Sequence, residues 1–149
     1  MIISSPAFEN GGHILEQYTC DGDNANPPLK INNIPEGTKS LVLVVDDSDS
    51  SVGTWIHWVV WNIDPKTVTI ESGSVPSGAI EGLTSFGNIG YGGPCPAGGA
   101  HRYIFKLFAL DTSLELKYGA AYQELDQMMS GHILARAELV GRYERSSLW

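Results

Sequence analysis

The apolar positions of this chain fall into a few dense blocks, separated by long stretches rich in glycine, proline, asparagine and aspartate. The block Ser40-Leu41-Val42-Leu43-Val44-Val45 is β-branched and follows the turn Pro35-Glu36-Gly37-Thr38-Lys39, which predicts a strand. Trp55 to Ile63 is apolar at nearly every position, as expected of a central strand covered on both faces. His101 to Leu110 reads as a third strand. From His132 to Glu144 the pattern alternates. Ile133, Ala135, Ala137, Leu139 and Tyr143 share one face, with His132, Arg136, Glu138, Arg142 and Glu144 on the other, so this is a half-buried strand. One segment has helical spacing: Ala120 to Ser130, with Leu125, Met128 and Met129 on its apolar side and Gly131 as its stop. Both methionines are expected in the core. Strands dominate and the helix comes late, so the fold class is mainly β with minor α.

No internal repeat, low-complexity tract or long linker divides the chain, and 149 residues suit a single domain spanning 1–149. No apolar run reaches the roughly 18 residues that cross a bilayer, so no integral membrane association is expected. The opening Met1-Ile2-Ile3-Ser4-Ser5-Pro6 lacks a basic region followed by an apolar one, the pattern of a secretory leader, and the expected location is cytoplasmic. The formal net charge of −8 argues against nucleic acid and against anionic lipid surfaces as bulk partners. Any anion bound must be held locally, by directed donors.

The two cysteines, Cys20 and Cys95, match no metal-binding spacing. A cytosolic protein would keep them reduced, so buried free thiols are expected. Both lie in loops rich in Gly, Pro, Asp and Asn, which leaves a disulfide between them as the alternative.

The densest glycine and proline run is Gly90-Tyr91-Gly92-Gly93-Pro94-Cys95-Pro96-Ala97-Gly98-Gly99-Ala100. It cannot be a regular element and must be a shaped loop. It leads straight into His101-Arg102-Tyr103, where residues two apart share a face. A glycine loop whose N–H groups form a nest, together with an imidazole and a phenol, makes a receptor for a small anion. Two further polar clusters sit at strand ends. In Asp46-Asp47-Ser48-Asp49 the acids favour a turn, but Asp47 continues the face of Leu41, Leu43 and Val45 and so needs a partner or a role. His57 lies inside Trp55-Ile56-His57-Trp58 and is read on the face of Trp55, Val59 and Trp61, an aromatic wall. Arg102 points away from His101 and Tyr103 and is expected in a structural salt bridge or strand-end contact.

Taken in order, several stretches resemble the phosphatidylethanolamine-binding protein family, in its compact bacterial and archaeal branch of Raf kinase inhibitor-like proteins. They are Tyr18-Thr19-Cys20-Asp21-Gly22, Pro27-Pro28-Leu29, Gly37-Thr38-Lys39-Ser40-Leu41, Asp47-Ser48-Asp49, Trp55-Ile56-His57-Trp58 and Gly92-Gly93-Pro94-Cys95-Pro96. His101-Arg102-Tyr103, Phe108-Ala109-Leu110-Asp111, Gly131-His132-Ile133-Leu134-Ala135 and Glu138-Leu139-Val140-Gly141 continue the match. The resemblance implies a large central sheet packed with a smaller one, short helices at one side, and an anion pocket. It implies that Asp47, Trp55, His57, Gly92, Gly93, Pro94, His101 and Tyr103 bind the ligand. Ser48, Ser50 and Ser51 stand where relatives carry Pro, Ala and Pro, so a rigid turn there is lost. The shorter stretch from Pro96 to His101 reshapes the rim.

The expected function is a non-enzymatic binding protein for phosphate-bearing small ligands, a phospholipid head group or a nucleotide-like molecule. No catalytic residue, cofactor or metal is implied. The alternative is a hydrolase or metal-dependent enzyme built on the Asp/His/His cluster. Eukaryotic relatives inhibit kinases and proteases, but no motif here names a protein target. A homodimer is expected, with Leu148 and Trp149 offering apolar surface to a second copy.

Overall fold

The structure is a computed structural model that describes residues 1–146. Two antiparallel sheets and a helix form three layers. The large sheet has the order β6-β4-β3-β7-β8, from Ile80–Glu81 (β6), Trp55–Ile63 (β4), Ser40–Asp47 (β3), His101–Leu110 (β7) and Ile133–Tyr143 (β8). The small sheet has the order β1-β2-β5, from Ile2–Ser4 (β1), Leu29–Asn32 (β2) and Thr69–Ile70 (β5). The helix α1 spans Tyr122–Met129 and is followed by Gly131 in the left-handed region, φ 83°, which suits a glycine stop.

The central strand β3 is buried along its whole length. Leu41, Leu43 and Val45 face a core completed by Trp58, Val60, Tyr103, Phe105 and Leu107 of the large sheet and Ile3, Leu29, Ile31 and Ile70 of the small one. Val42 and Val44 face the other side, where Ile56, Val59, Trp61, Phe108 and Leu110 pack against Leu125 and Met129 of α1. Two apolar faces on one strand therefore explain why its sequence runs apolar rather than alternating. Each fully buried Leu or Val side chain here contributes about 1.5–3 kcal/mol.

The long strands and the helix match the periodicity. The short strands β1, β2, β5 and β6 do not stand out in it, since two to four residues hold too few repeats to show a period. Three expectations need correction. Met129 is buried but Met128 is 37% exposed, because in a short helix the i, i+4 pair Leu125 and Met129 faces the sheet and Met128 falls on the shoulder. Ile133 packs with the helix-side core while Ala135 and Ala137 face the small sheet. A register irregularity between Ala109 and Leu110 puts Leu134 outside the pairing, and one extra residue turns the preceding side chain to the opposite face. Cys20 and Cys95 are not free thiols but form a disulfide, Cα–Cα 5.5 Å, across 75 residues of sequence. Compartment arguments speak of the environment and not of proximity; folding brings the loop after Tyr18 against the glycine-rich loop. Leu148 and Trp149 lie outside the described residues.

Candidate functional site

At one end of the large sheet the register places Asp47 of β3 opposite Tyr103 of β7. His101, two residues before Tyr103, comes to the same face, and its Nδ1 lies 2.6 Å from Asp47 Oδ2. Asp47 Oδ1 accepts the Asp49 backbone N–H at 2.8 Å. Both oxygens of this buried carboxylate thus have partners, which answers the need that its position on a core face created. Arg102 points the other way. Its guanidinium clamps Asp49 at 2.9 and 3.0 Å and its backbone N–H adds a third bond. Those bonds hold the Asp49 carboxyl at about 2 and lace the turn after β3 to the start of β7.

His57 reaches the same space by a departure from strand geometry. Val45 pairs with Trp58 and Asp46 with Ile56, so His57 is left without a cross-strand partner. It is the extra residue of a β-bulge, which bends β4 and re-aims the side chain. The imidazole stands edge-on to Tyr103 at 5.1 Å and to Phe86 at 5.2 Å. His57 therefore shares the side of Trp58 and Tyr103, while Val59 and Trp61 face the helix. The expected wall of Trp55, Val59 and Trp61 around His57 does not form, because the bulge breaks the alternation. Gly92 carbonyl lies 2.6 Å from His57 Nδ1. A carbonyl only accepts, so Nδ1 carries the hydrogen and Nε2 is left for a ligand. Burial pushes the His57 imidazole below its ordinary value, against smaller opposing effects of the Gly92 carbonyl and Asp47.

Asp47, Trp55, His57, His101 and Tyr103 line one cavity of about 210 Å³ with Phe86, Cys95 and Pro96. Trp55 and Phe86 meet edge to face at 5.5 Å on one wall. On the floor, the Tyr103 hydroxyl is buried, lies beside the Cys95 backbone, and makes no hydrogen bond of good geometry among the described residues. Burial raises its pKa, and the nearby Asp47 charge adds to this, so the phenol is a neutral donor at physiological pH. The site combines an imidazole at His101, a hydroxyl donor at Tyr103, an acid that holds one imidazole, and an aromatic wall. Among the described residues no three or more His, Cys, Asp or Glu side chains are grouped to hold a metal ion.

The glycines expected at the site are placed differently. Gly92 and Gly93 line a neighbouring cavity of about 280 Å³ with Asn24, Asn88, Tyr91, Cys20 and Cys95. Their N–H groups are already bonded, Gly92 to the His57 carbonyl and Gly93 to Asn24 Oδ1. Pro94 is buried and its carbonyl accepts the Cys20 N–H. A Cβ at Gly93 would lie 2.5 Å from both Asn24 Oδ1 and the Tyr18 carbonyl. The Gly92–Pro94 stretch thus packs the glycine-rich loop against the Tyr18 segment and orients His57, and the cavity wall itself is built by Cys95, Pro96 and Ala97.

Sequence reasoning missed Phe86. It lies in a loop without periodicity, but Ser85 forms backbone and side-chain bonds with Ile56, extending the edge of β4 and setting Phe86 beside Trp55 and His57. Ser50, Ser51 and Val52 of the turn after β3 also line the cavity. The family model described as phosphatidylethanolamine-binding protein matches residues 4–144. A UPF0098 protein of Methanothermobacter thermautotrophicus is 43% identical across 97% of this chain and 99% of its own. One from Pyrococcus horikoshii is 48% identical across 95% of this chain and 75% of its own. The crystal structure of a phosphatidylethanolamine-binding protein homolog of Chlamydia trachomatis, 41% identical, superposes with a TM-score of 0.93 over 97% of both chains. Escherichia coli YbcL, described as a member of the mammalian family of that name, is 29% identical and superposes at 0.90 over 97% of this chain and 98% of its own. Fold, motif order and relatives agree: the chain belongs to the phosphatidylethanolamine-binding protein family.

Proposed function

We propose that the protein is a non-enzymatic binding protein that takes phosphate-bearing small ligands in the Asp47–His101 cavity. The Asp47–His101 pair carries this reading. A carboxylate on Nδ1 fixes the tautomer and orientation of the ring and leaves Nε2 for the ligand. Tyr103 supplies a neutral hydroxyl donor beside it, and His57 becomes a further donor if a bound anion offsets its burial. The Trp55–Phe86 wall suits the carbon skeleton next to the phosphate. Membership of the family supports ligand binding in general; the phosphate class is our reading of the donor set.

An enzyme using Asp47, His57 and His101 as base or metal ligands is the competing reading. The same pair would serve it, with Asp47 orienting His101 as a general base. Metal analysis of purified protein and calorimetric titration with inorganic phosphate, O-phosphoethanolamine and a nucleoside monophosphate decide between them. Saturable one-to-one binding of an ester, weakened by about tenfold or more in His101→Ala, is the expected result. No heat with any of the three at millimolar concentration, or stoichiometric zinc or iron in the preparation, overturns the proposal.

The proposal includes a homodimer and a cytoplasmic location. Sedimentation that finds only a 16.1 kDa species at high concentration rejects the first. The second is compatible with the Cys20–Cys95 bond where intracellular proteins are disulfide-rich, as in hyperthermophiles. Immunodetection of the protein outside the cytoplasm rejects it.

A further inference from the structure

We propose that the Cys20–Cys95 disulfide is a thiol-exchange site that clamps the ligand cavity, so that a dithiol reductant switches its affinity. The inference rests on the ligand reading above for its consequence, though not for its geometry.

Three observations carry it. The bond sits between the two cavities. Cys95 lines the one that holds His101 and Tyr103, and both cysteines line its neighbour. The bond is also within reach of solvent, with Cys95 exposed and Cys20 half-buried; accessible disulfides are the labile ones. Finally, it is the last covalent or hydrogen-bonded tie on the loop before β7 among the described residues. Upstream, Tyr91 hydroxyl bonds the Tyr18 carbonyl, Gly92 N–H bonds His57, Gly93 N–H bonds Asn24, and the Pro94 carbonyl accepts Cys20 N–H. Downstream, residues 96–100 make no hydrogen bond to the rest of the described protein. Yet Pro96 and Ala97 are cavity wall, and the next strand begins at His101.

The exchange is balanced by the two thiols of the reductant. One thiolate attacks the sulfur of Cys95, the more exposed of the two residues, the S–S bond breaks, and Cys20 leaves as thiolate and takes up a proton. The second thiolate attacks the mixed disulfide, frees Cys95 as a thiol, and leaves the reductant as its own disulfide. Two electrons and two protons pass to the protein. Without the bond, the wall from Cys95 to Ala97 loses its anchor to the Tyr18–Asn24 loop. The Cys95 backbone beside the Tyr103 hydroxyl and the approach to His101 then sample open arrangements. If the closed wall falls to about a tenth of the population, affinity falls about tenfold.

The test compares oxidised protein, protein held reduced by dithiothreitol, and the Cys20→Ser/Cys95→Ser variant. Backbone amide NMR relaxation reads the clamp without any ligand, and calorimetry with O-phosphoethanolamine reads its consequence. Lower order parameters confined to residues 95–101 in the reduced and variant proteins are expected. About tenfold weaker binding, restored by reoxidation of the wild type only, should accompany them. Identical order parameters at 95–101 in both redox states overturn the proposal. So does loosening throughout β3 on reduction, since the bond would then be a general staple. If the oxidised protein binds no ester while the order parameters at 95–101 still respond, the ligand reading fails and the clamp stands. Equal affinity in both states removes the switch.

Discussion

Asp46 and Asp47 are neighbours on β3 and send buried carboxylates to opposite sides of the large sheet. Asp47 meets His101 Nδ1 at 2.6 Å on the cavity side, and Asp46 meets Lys106 Nζ at 2.7 Å on the helix side. The first is an arrangement for a ligand. The second is a structural pair, in which burial works against the Lys106 charge and Asp46 more than offsets it.

The helix-side pair gives a stability prediction. Lys106→Met removes the only ionic partner that Asp46 has among the described residues, and Asp46 Oδ1 already has none. Leaving a buried carboxylate unpaired costs about 3 kcal/mol. Urea unfolding should show that loss, with phosphate-ester affinity unchanged in the folded protein. A loss under about 1 kcal/mol would mean that water reaches Asp46.

The cavity-side pair gives a binding prediction. His101→Ala should weaken phosphate-ester binding by about 1.5–3 kcal/mol, the range of a charged hydrogen bond. Asp47→Asn should weaken it less, because the imidazole remains but loses the carboxylate that orients it. Arg102→Ala, which breaks an exposed pair on the opposite face, should leave affinity as it is. Calorimetry on the three variants checks the order. A His101→Ala protein with wild-type affinity excludes the imidazole from the site.

Gly93→Ala distinguishes close packing from anion contact at the glycine loop. The added methyl would press on Asn24 Oδ1 and the Tyr18 carbonyl at 2.5 Å, and overpacking of this kind costs about 1–3 kcal/mol. Thermal unfolding should show that loss even without ligand. An alanine variant of full stability but lower affinity would restore a direct role for the Gly93 backbone.

His57 makes both stability and binding depend on pH. Burial holds its pKa below the ordinary 6.5, so the unfolded chain binds the proton more readily than the folded one. The stability contribution is complete above about pH 6.5 and is lost as pH falls from there through the lower native value. The steeper decline of wild type relative to His57→Phe between pH 7 and 5, in urea unfolding, measures it. A bound anion acts in the opposite sense and raises the pKa of His57. Ester affinity should therefore weaken as pH rises through its bound-state value, with proton uptake on binding. Affinity constant from pH 5.5 to 8 would leave the neutral donors as the whole site.

The long strands were legible because their side chains obey local rules. Leu41 to Val45 and Trp55 to Ile63 are apolar at nearly every position since both faces of the large sheet are covered, and His101 and Tyr103 share a face by the two-residue period alone. Asp47 could be singled out for the same reason, as a carboxylate in line with core residues. The facing of His57 was not legible. A bulge adds one residue against a partner strand, and the partner is distant in sequence, so no local period records it.

The sequence by itself determined the fold class, the strand that carries each chemical group, and the family. These follow from short-range alternation and from motifs whose order along the chain is visible. The tertiary structure decided which groups meet. It brought Phe86 from an aperiodic loop onto the wall, turned Gly92 and Gly93 inward to bond His57 and Asn24, and joined Cys20 to Cys95 beside the cavity. Each depends on loops packed against residues tens of positions away, where the burial of neighbouring atoms, and not the local pattern of residues, fixes the outcome.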